Sequence, residues 1–381
     1  MKADVLVIGA GISGASIAYN LAAKGVRNIK VVDKAYLTAG ATGRCGAGVR
    51  QQWATKANCI MAKHSIEFFE QAKAILEYPG DIEFKQEGYL ILATTEAEDR
   101  QFGKNVELQN ALGIPARKLT VPEALAIVPH LNRDAFLSAT YCNTDGHLNP
   151  FKMTDAYYQA AKRLGVEFFF FETVEAIERE QDRIVKVVTD KHEFLTNVVV
   201  NAAGGYAHEI GKLAGIAVPV YSEKHEILVT EPIERIQGPM VMSFSKNIYC
   251  QQVPHGSFIM GRGDPEAPHD HDITSSWRFL DEMAKTVCEI LPRVGELRVI
   301  RQWAGLYNMS PDKQPIISEV PELPGFYLAC GFSGHGFMFA PMTGLLISEL
   351  ILKQPTTLAI ADYHLHRFQD MPVIETEKSV V

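Results

Sequence analysis

Residues 5–14, Val5-Leu6-Val7-Ile8-Gly9-Ala10-Gly11-Ile12-Ser13-Gly14, decide how this chain is read. Val5–Ile8 is a short unbroken apolar run, the pattern of a parallel strand covered on both faces. The next six residues match G-x-G-x-x-G. Ile17, Ala18, Leu21 and Ala22 then keep helical spacing up to Gly25. Residues 29–32 read as a second strand, closed by Asp33, which stands 19 positions after Gly14. The motif alone is weak, but strand, glycines, helix, strand and acid in this order form a dinucleotide-binding unit. Gly9, Gly11 and Gly14 allow a tight turn, close approach of a pyrophosphate and close helix packing. Ile12 and Ser13 open the helix, whose free N–H groups suit phosphate. Asp33 can accept hydrogen bonds from ribose hydroxyls, and Lys34 beside it joins the candidate cofactor set.

NAD and FAD share this fingerprint, and the stretch after Asp33 separates them. Residues 38–50, Thr-Ala-Gly-Ala-Thr-Gly-Arg-Cys-Gly-Ala-Gly-Val-Arg, are mostly small and carry Arg44 and Arg50. A nicotinamide domain would continue here with a helix and a third strand. A small-residue loop instead suggests chain running closely along an extended cofactor.

The rest of the composition sets bounds. The 381 residues suit one large or two interleaved domains. An apolar fraction of 47% and a charged fraction of 22% are ordinary for a globular protein. A net charge of −8 argues against nucleic acid or an anionic membrane as partner. None of the six cysteines forms C-x-x-C, which excludes a disulfide framework or zinc site and suits a reducing cytoplasm. The apolar run at Val5–Ile8 is too short for a signal-peptide core, and no stretch reaches the ~20 residues of a membrane span. His269 and His271 sit in an acidic, polar stretch read as a loop, and no metal is assigned to them. His225 and His255 are read as solvent-facing or satisfied histidines.

Near the other end, Gly331-Phe332-Ser333-Gly334-His335-Gly336-Phe337 is too glycine-rich for a core strand, yet an apolar helical pattern follows at once. Residues 9–14, Asp33, 40–50 and 331–337 together resemble the D-amino-acid oxidase superfamily of flavoenzymes. Arg44-Cys45-Gly46, Arg50-Gln51-Gln52, residues 86–90, Thr144-Asp145-Gly146, Trp303-Ala304-Gly305 and residues 334–338 resemble, within it, β subunits of heteromeric sarcosine oxidases and archaeal-type L-proline dehydrogenases. The likeness spans essentially the whole chain.

That resemblance implies an α/β fold: a Rossmann-like FAD-binding domain of the glutathione-reductase type, interleaved with a mixed-sheet substrate domain. Residues 1–80, 145–215 and 300–381 would form the first, and 81–144 and 216–299 the second. FAD would also meet Thr42, Gly43, Arg44, Ala47, Gly48, Val174, Ala203, Gly204, Gly305, Gly331, Ser333, Gly334, His335, Gly336, Phe337 and Met338. A helix starting near Gly336 would aim N–H groups at the reduced flavin's negative charge. Its neighbour His335 would stack on the flavin or hydrogen-bond it.

The implied chemistry is oxidation of the C–N bond of a small amino acid or secondary amine, proline- or sarcosine-like, by hydride transfer to flavin N5. The chain would be the catalytic β subunit of a hetero-oligomeric dehydrogenase, passing electrons to a second subunit. A free-standing glycine- or sarcosine-type oxidase using O₂, and an electron-relay subunit without its own substrate, are the alternatives. Arg50 takes the place of the carboxylate-binding arginine of monomeric sarcosine oxidases, with Arg44 as the other candidate. Those enzymes carry lysine where this chain has Met338. They also bond the flavin through a cysteine that is missing from Gly305-Leu306-Tyr307, so FAD is expected to be noncovalent. Residues 150–152 hold no histidine for covalent FMN, and the proline dehydrogenase likeness leaves open a noncovalent FMN shared with a partner subunit. The strand Ser257–Gly261 offers no lysine to assist O₂, so slow reoxidation by air is expected.

Overall fold

A computed structural model describes residues 1–264, 266–370 and 377 of the protein. The first strand, Val5–Ile8, lies inside a six-stranded sheet, between Ile29–Asp33 and Val199–Asn201 and parallel to both. Glu167–Phe170 extends the sheet beyond Ile29–Asp33. Phe326–Cys330 and then Ile316–Glu319, its only antiparallel member, extend it on the other side. Every residue of Val5–Ile8 is buried because both faces are covered. On one face lie the helices Ile12–Ala23, Pro150–Arg163 and Gly336–Ile351. The first and last of these run very close: a Cβ on Gly344 would lie 2.1 Å from Ser16 Oγ. On the other face an antiparallel meander, Val174–Glu180, Arg183–Thr189 and Glu193–Leu195, shares a core with the helix Ala207–Leu213.

A second sheet has eight strands. Its order is Val299–Met309, Tyr221–Thr230, Phe258–Gly263, Ile248–Gln252, Met240–Ser243, Tyr89–Ala93, Ser138–Cys142 and Ala116–Leu119. Only Met240–Ser243 and Tyr89–Ala93 pair in parallel, so the sheet is mixed. Alternation along its strands sorts the side chains. Leu90, Leu92, Val241, Ile248 and Cys250 pack under the helix Trp277–Ile290. Tyr89, Met240, Met242 and Tyr249 form the opposite face, which looks into the site described below.

Several expectations shift at their edges. The helix Trp277–Ile290 is capped at its start, where Ser276 Oγ accepts from Phe279 N–H at 3.1 Å. The helix Pro150–Arg163 is capped by Asn149. The strand read over 257–261 spans Phe258–Gly263. Val299–Met309, placed by the sequence reading within the FAD segment 300–381, is an edge strand of the eight-stranded sheet. Among the described residues no helix is long and apolar enough to cross a membrane.

Candidate active site

The glycine motif is built as its spacing requires. Gly9 has φ +109°, and a Cβ there would lie 2.3 Å from the carbonyl oxygen of Ala202. A Cβ on Gly14 would lie 1.9 Å from the Gly9 carbonyl oxygen, so helix and strand meet without room for a side chain. The residue before the helix Ile12–Ala23, Gly11, offers no side-chain cap, and the helix's first turn has no acid. Its N–H groups therefore face outward with positive potential, apart from Ile12 N–H, which Thr42 Oγ1 accepts at 3.1 Å. Asp33 accepts from Ala10 N–H at 2.7 Å and from Ala35 N–H at 2.8 Å, joining the second strand to the glycine loop. Ala203 stands just past the end of Val199–Asn201, against Gly9, and Gly204 follows it. Val174 opens the meander two residues after Glu172, whose N–H donates to the Asp33 carbonyl. Lys34 is turned onto the Tyr206 ring.

The loop after Asp33 divides its two arginines. Arg44 donates through Nε to the Ala39 carbonyl at 3.2 Å and through Nη1 to the Ala304 carbonyl at 3.0 Å. Its own carbonyl accepts from Trp303 Nε1 at 3.1 Å, and a Cβ on Gly305 would lie 3.0 Å from its Cβ. Arg44 thus splices the loop to the strand Val299–Met309, and it does not line the cavity. Gly43 closes its turn against the Thr38 carbonyl, where a Cβ would stand at 2.4 Å. Gly48 makes way for Tyr89, whose hydroxyl would be 1.7 Å from a Cβ at that position. Gly48–Val49 also pairs with Gly146–His147.

Arg50 is 3% exposed, and its guanidinium lies 3.7 Å from the centroid of the Trp53 ring. Burial pulls its pKa below the usual guanidinium range, opposed by Tyr89, Glu377 and Asp145. Asp145 is fully buried and fixes the Arg50-Gln51-Gln52 turn. Its carboxylate accepts from Gln51 N–H at 2.8 Å and Gln52 Nε2 at 2.9 Å. Burial raises Asp145 to about 6. Two motifs quoted separately from the sequence are therefore one polar lock beneath Arg50.

The glycine-rich stretch at 331–336 closes the other side. Ser333 N–H donates to the Asn308 carbonyl at 2.8 Å, and Ser333 Oγ accepts from Ser310 N–H at 3.1 Å. Gly334 has φ +92°, and a Cβ there would lie 2.2 Å from the Tyr307 ring. Tyr307 is stacked in turn on His225, with centroids 3.4 Å apart. The helix Gly336–Ile351 begins here, uncapped by any side chain, with no acid in its first turn and with Phe337 and Met338 buried. Buried helix starts without caps are uncommon unless a ligand supplies acceptors. His335, just before it, meets Trp53 edge-on at 4.6 Å. Burial and then the Arg50 charge hold His335 well below the usual histidine range, so its ring is neutral. Its Nε2 has no hydrogen-bond partner among the described residues.

These parts line a cavity that is open to solvent. Residues 45–48, Arg50, Ser333, Gly334, His335, Phe337 and Met338 line it, all but Cys45 and Gly46 from the candidate set. The sequence reading missed Trp53, Tyr89, Met240, Met242, Tyr249 and Tyr307 as lining residues. Tyr89 and Tyr307 lay inside quoted motifs, but nothing in the sequence said which face of a strand they occupy. Among the described residues Arg50 is the one lysine or arginine that lines the cavity. Lys246 pairs with Glu289 at 2.6 Å and Arg262 with Glu282 at 3.3 Å instead. His269 and His271 are stacked on Tyr221 and Tyr206.

Known proteins share this arrangement. A family model described as FAD dependent oxidoreductase (DAO) matches residues 4–350. The sarcosine oxidase subunit beta of Rhodobacter capsulatus is 27% identical over 377 residues, covering 98% of this chain and 90% of that protein. The glycine oxidase of Geobacillus kaustophilus is 27% identical over 371 residues, covering 96% and 97%. The crystal structure of L-proline dehydrogenase from P. horikoshii matches with a TM-score of 0.92 and 37% identity, over 97% of this chain and 98% of that one. With its glycine loop, its uncapped helix starts and most of its length inside that family model, the chain belongs to the DAO family of FAD-dependent oxidoreductases.

Proposed function

We propose that this enzyme oxidises the C–N bond of a small amino acid or secondary amine, proline- or sarcosine-like, as the catalytic subunit of a hetero-oligomeric dehydrogenase. The observation that carries this reading is Arg50: a buried guanidinium, clamped on Trp53, lining a cavity shared with the 331–338 loop. A guanidinium fork suits a carboxylate in geometry and charge. FAD fits the residues present, since two uncapped helix starts and the bare backbones at Gly9, Gly14 and Gly334 are cradles that a side chain would fill. Gly9–Gly14 would hold its pyrophosphate, Asp33 its ribose, and residues 334–338 its flavin. No cysteine lies in residues 305–307, which favours noncovalent attachment. FAD, when bound, accepts the hydride at flavin N5.

The chain's own residues position the reactants. Arg50 holds the substrate carboxylate and so fixes which carbon faces the loop at 334–338. Met240, Met242, Phe337 and Met338 exclude water around that carbon. Neutral His335 offers an unpartnered Nε2 to whatever occupies the cavity. The segments 1–80, 145–215 and 300–381 would form the cofactor domain, with Val299–Met309 reaching across to the substrate sheet. The likeness to sarcosine oxidase β subunits supports a second subunit as electron acceptor, with a shared noncovalent FMN as one route. Six free cysteines support a cytoplasmic setting.

The test is anaerobic addition of proline, hydroxyproline, sarcosine and glycine to the flavin-loaded protein. Loss of flavin absorbance with at least one is expected, and no bleaching by any amine would leave only the relay reading. Aerated buffer is then mixed with the reduced protein. Among the described residues Arg50 is the one lysine or arginine lining the cavity, and it is committed to the substrate, so superoxide gains little support and slow reoxidation is expected. Reoxidation by air as fast as by a dye would favour the free-standing oxidase.

A further inference from the structure

Outside the cavity, Tyr206 carries a partner on each side of its ring. Lys34 Nζ lies 3.0 Å from the ring centroid, and the His271 imidazole stacks on the ring at 4.1 Å and 7°. Two groups at these distances cannot share one face, so the phenol is sandwiched. The three residues come from three places: the end of the second strand, the turn Gly204–Tyr206, and the loop at 268–274 that belongs to the eight-stranded sheet system. His271 also donates through Nε2 to the Gly205 carbonyl at 3.0 Å, and Ser222 Oγ donates to that same oxygen at 2.8 Å. Glu209 stands 3.6 Å from His271 Nε2. Lys224 anchors the loop through Asp272 at 3.1 Å.

The turn so held follows directly on the residues packed against the glycine loop. Gly9 abuts Ala202 and Ala203, immediately before it. Lys34 follows Asp33, whose carboxylate holds Ala10 N–H. We propose that His271 is an FAD-retaining residue, a clasp by which the substrate-side sheet closes the turn Gly204–Tyr206 over the cofactor and slows its release. This rests on the reading that the glycine loop holds FAD.

The experiment loads wild-type, His271→Ala, His271→Phe and His269→Ala proteins with FAD and follows flavin appearing free in solution after dilution. Loss of the ring stack and one neutral hydrogen bond predicts about tenfold faster release for His271→Ala. His271→Phe keeps a ring but no N–H, and about threefold is expected. His269 stacks on Tyr221 in the same loop but does not touch the turn, so His269→Ala should stay within about twofold of wild type. Release from His271→Ala within about twofold of wild type overturns the clasp, as does an equal acceleration by His269→Ala. If His271→Ala does not fold, an unchanged rate in His271→Phe overturns it. Wild-type protein that fails to take up one FAD per chain would instead sink the reading of the glycine loop, and the two failures are told apart by that stoichiometry.

Discussion

Gly334→Ala probes the packing that shapes the cavity. The residue has φ +92°, and left-handed backbone costs a residue with a Cβ about 1–2 kcal/mol. The added methyl would lie 2.2 Å from Tyr307 Cε2, well inside the 3.4 Å at which ordinary contact begins. Tyr307 cannot simply retreat, because His225 is stacked on it at 3.4 Å. Overpacking of this kind costs about 1–3 kcal/mol, which gives a total near 2–5 kcal/mol. Urea denaturation of the flavin-free protein reads this loss directly. Tyr307→Ala should relieve the clash, so in that background Gly334→Ala should cost only the backbone strain, about 1–2 kcal/mol. The difference between backgrounds is the coupling energy. Equal losses in both, or a loss under about 0.5 kcal/mol in the wild-type background, would refute the argument.

Asp33→Ala removes the acceptor of two backbone N–H groups and the proposed ribose partner, so it should lower the FAD absorbance of the purified protein far more than its melting temperature. Full flavin occupancy would count against that role. Arg50→Lys keeps the charge but loses the planar fork on Trp53. It should raise KM for an amino-acid substrate about 10–100-fold with normal flavin content, and an unchanged KM would move the carboxylate contact elsewhere. Asp145→Asn should change how stability depends on pH. Burial raises Asp145 to about 6, so between its unfolded value near 4 and that value the folded state binds more protons and stability falls as pH rises. Burial lowers His147 to about 4, so stability is lost as pH falls from about 6.5 towards 4. The two slopes oppose each other in wild type. Relative to wild type, Asp145→Asn should therefore gain stability from pH 4 to 6, as read by denaturation midpoints, and a flat difference would exclude an ionising Asp145.

The cofactor half of the fold was legible from sequence because its determinants are local. Strand, turn and helix at residues 5–23 depend on neighbours a few positions apart, and Gly9 and Gly14 are needed for contacts that any such unit makes. The helix start at Gly336 was equally local, signalled by glycines abutting an apolar helical run. The cavity was not local. Sheet register brings Tyr89, Met240, Tyr249 and Tyr307 to the loop residues Arg50 and His335, and a one-residue slip would turn each strand side chain to the other face. Arg44 and Arg50 illustrate the limit. They share one loop and one charge, and the sequence offered both for the carboxylate. Only the tertiary structure commits Arg44 to the Ala304 carbonyl and leaves Arg50 to line the cavity, because Ala304 lies on a distant strand that composition and spacing cannot bring to the loop.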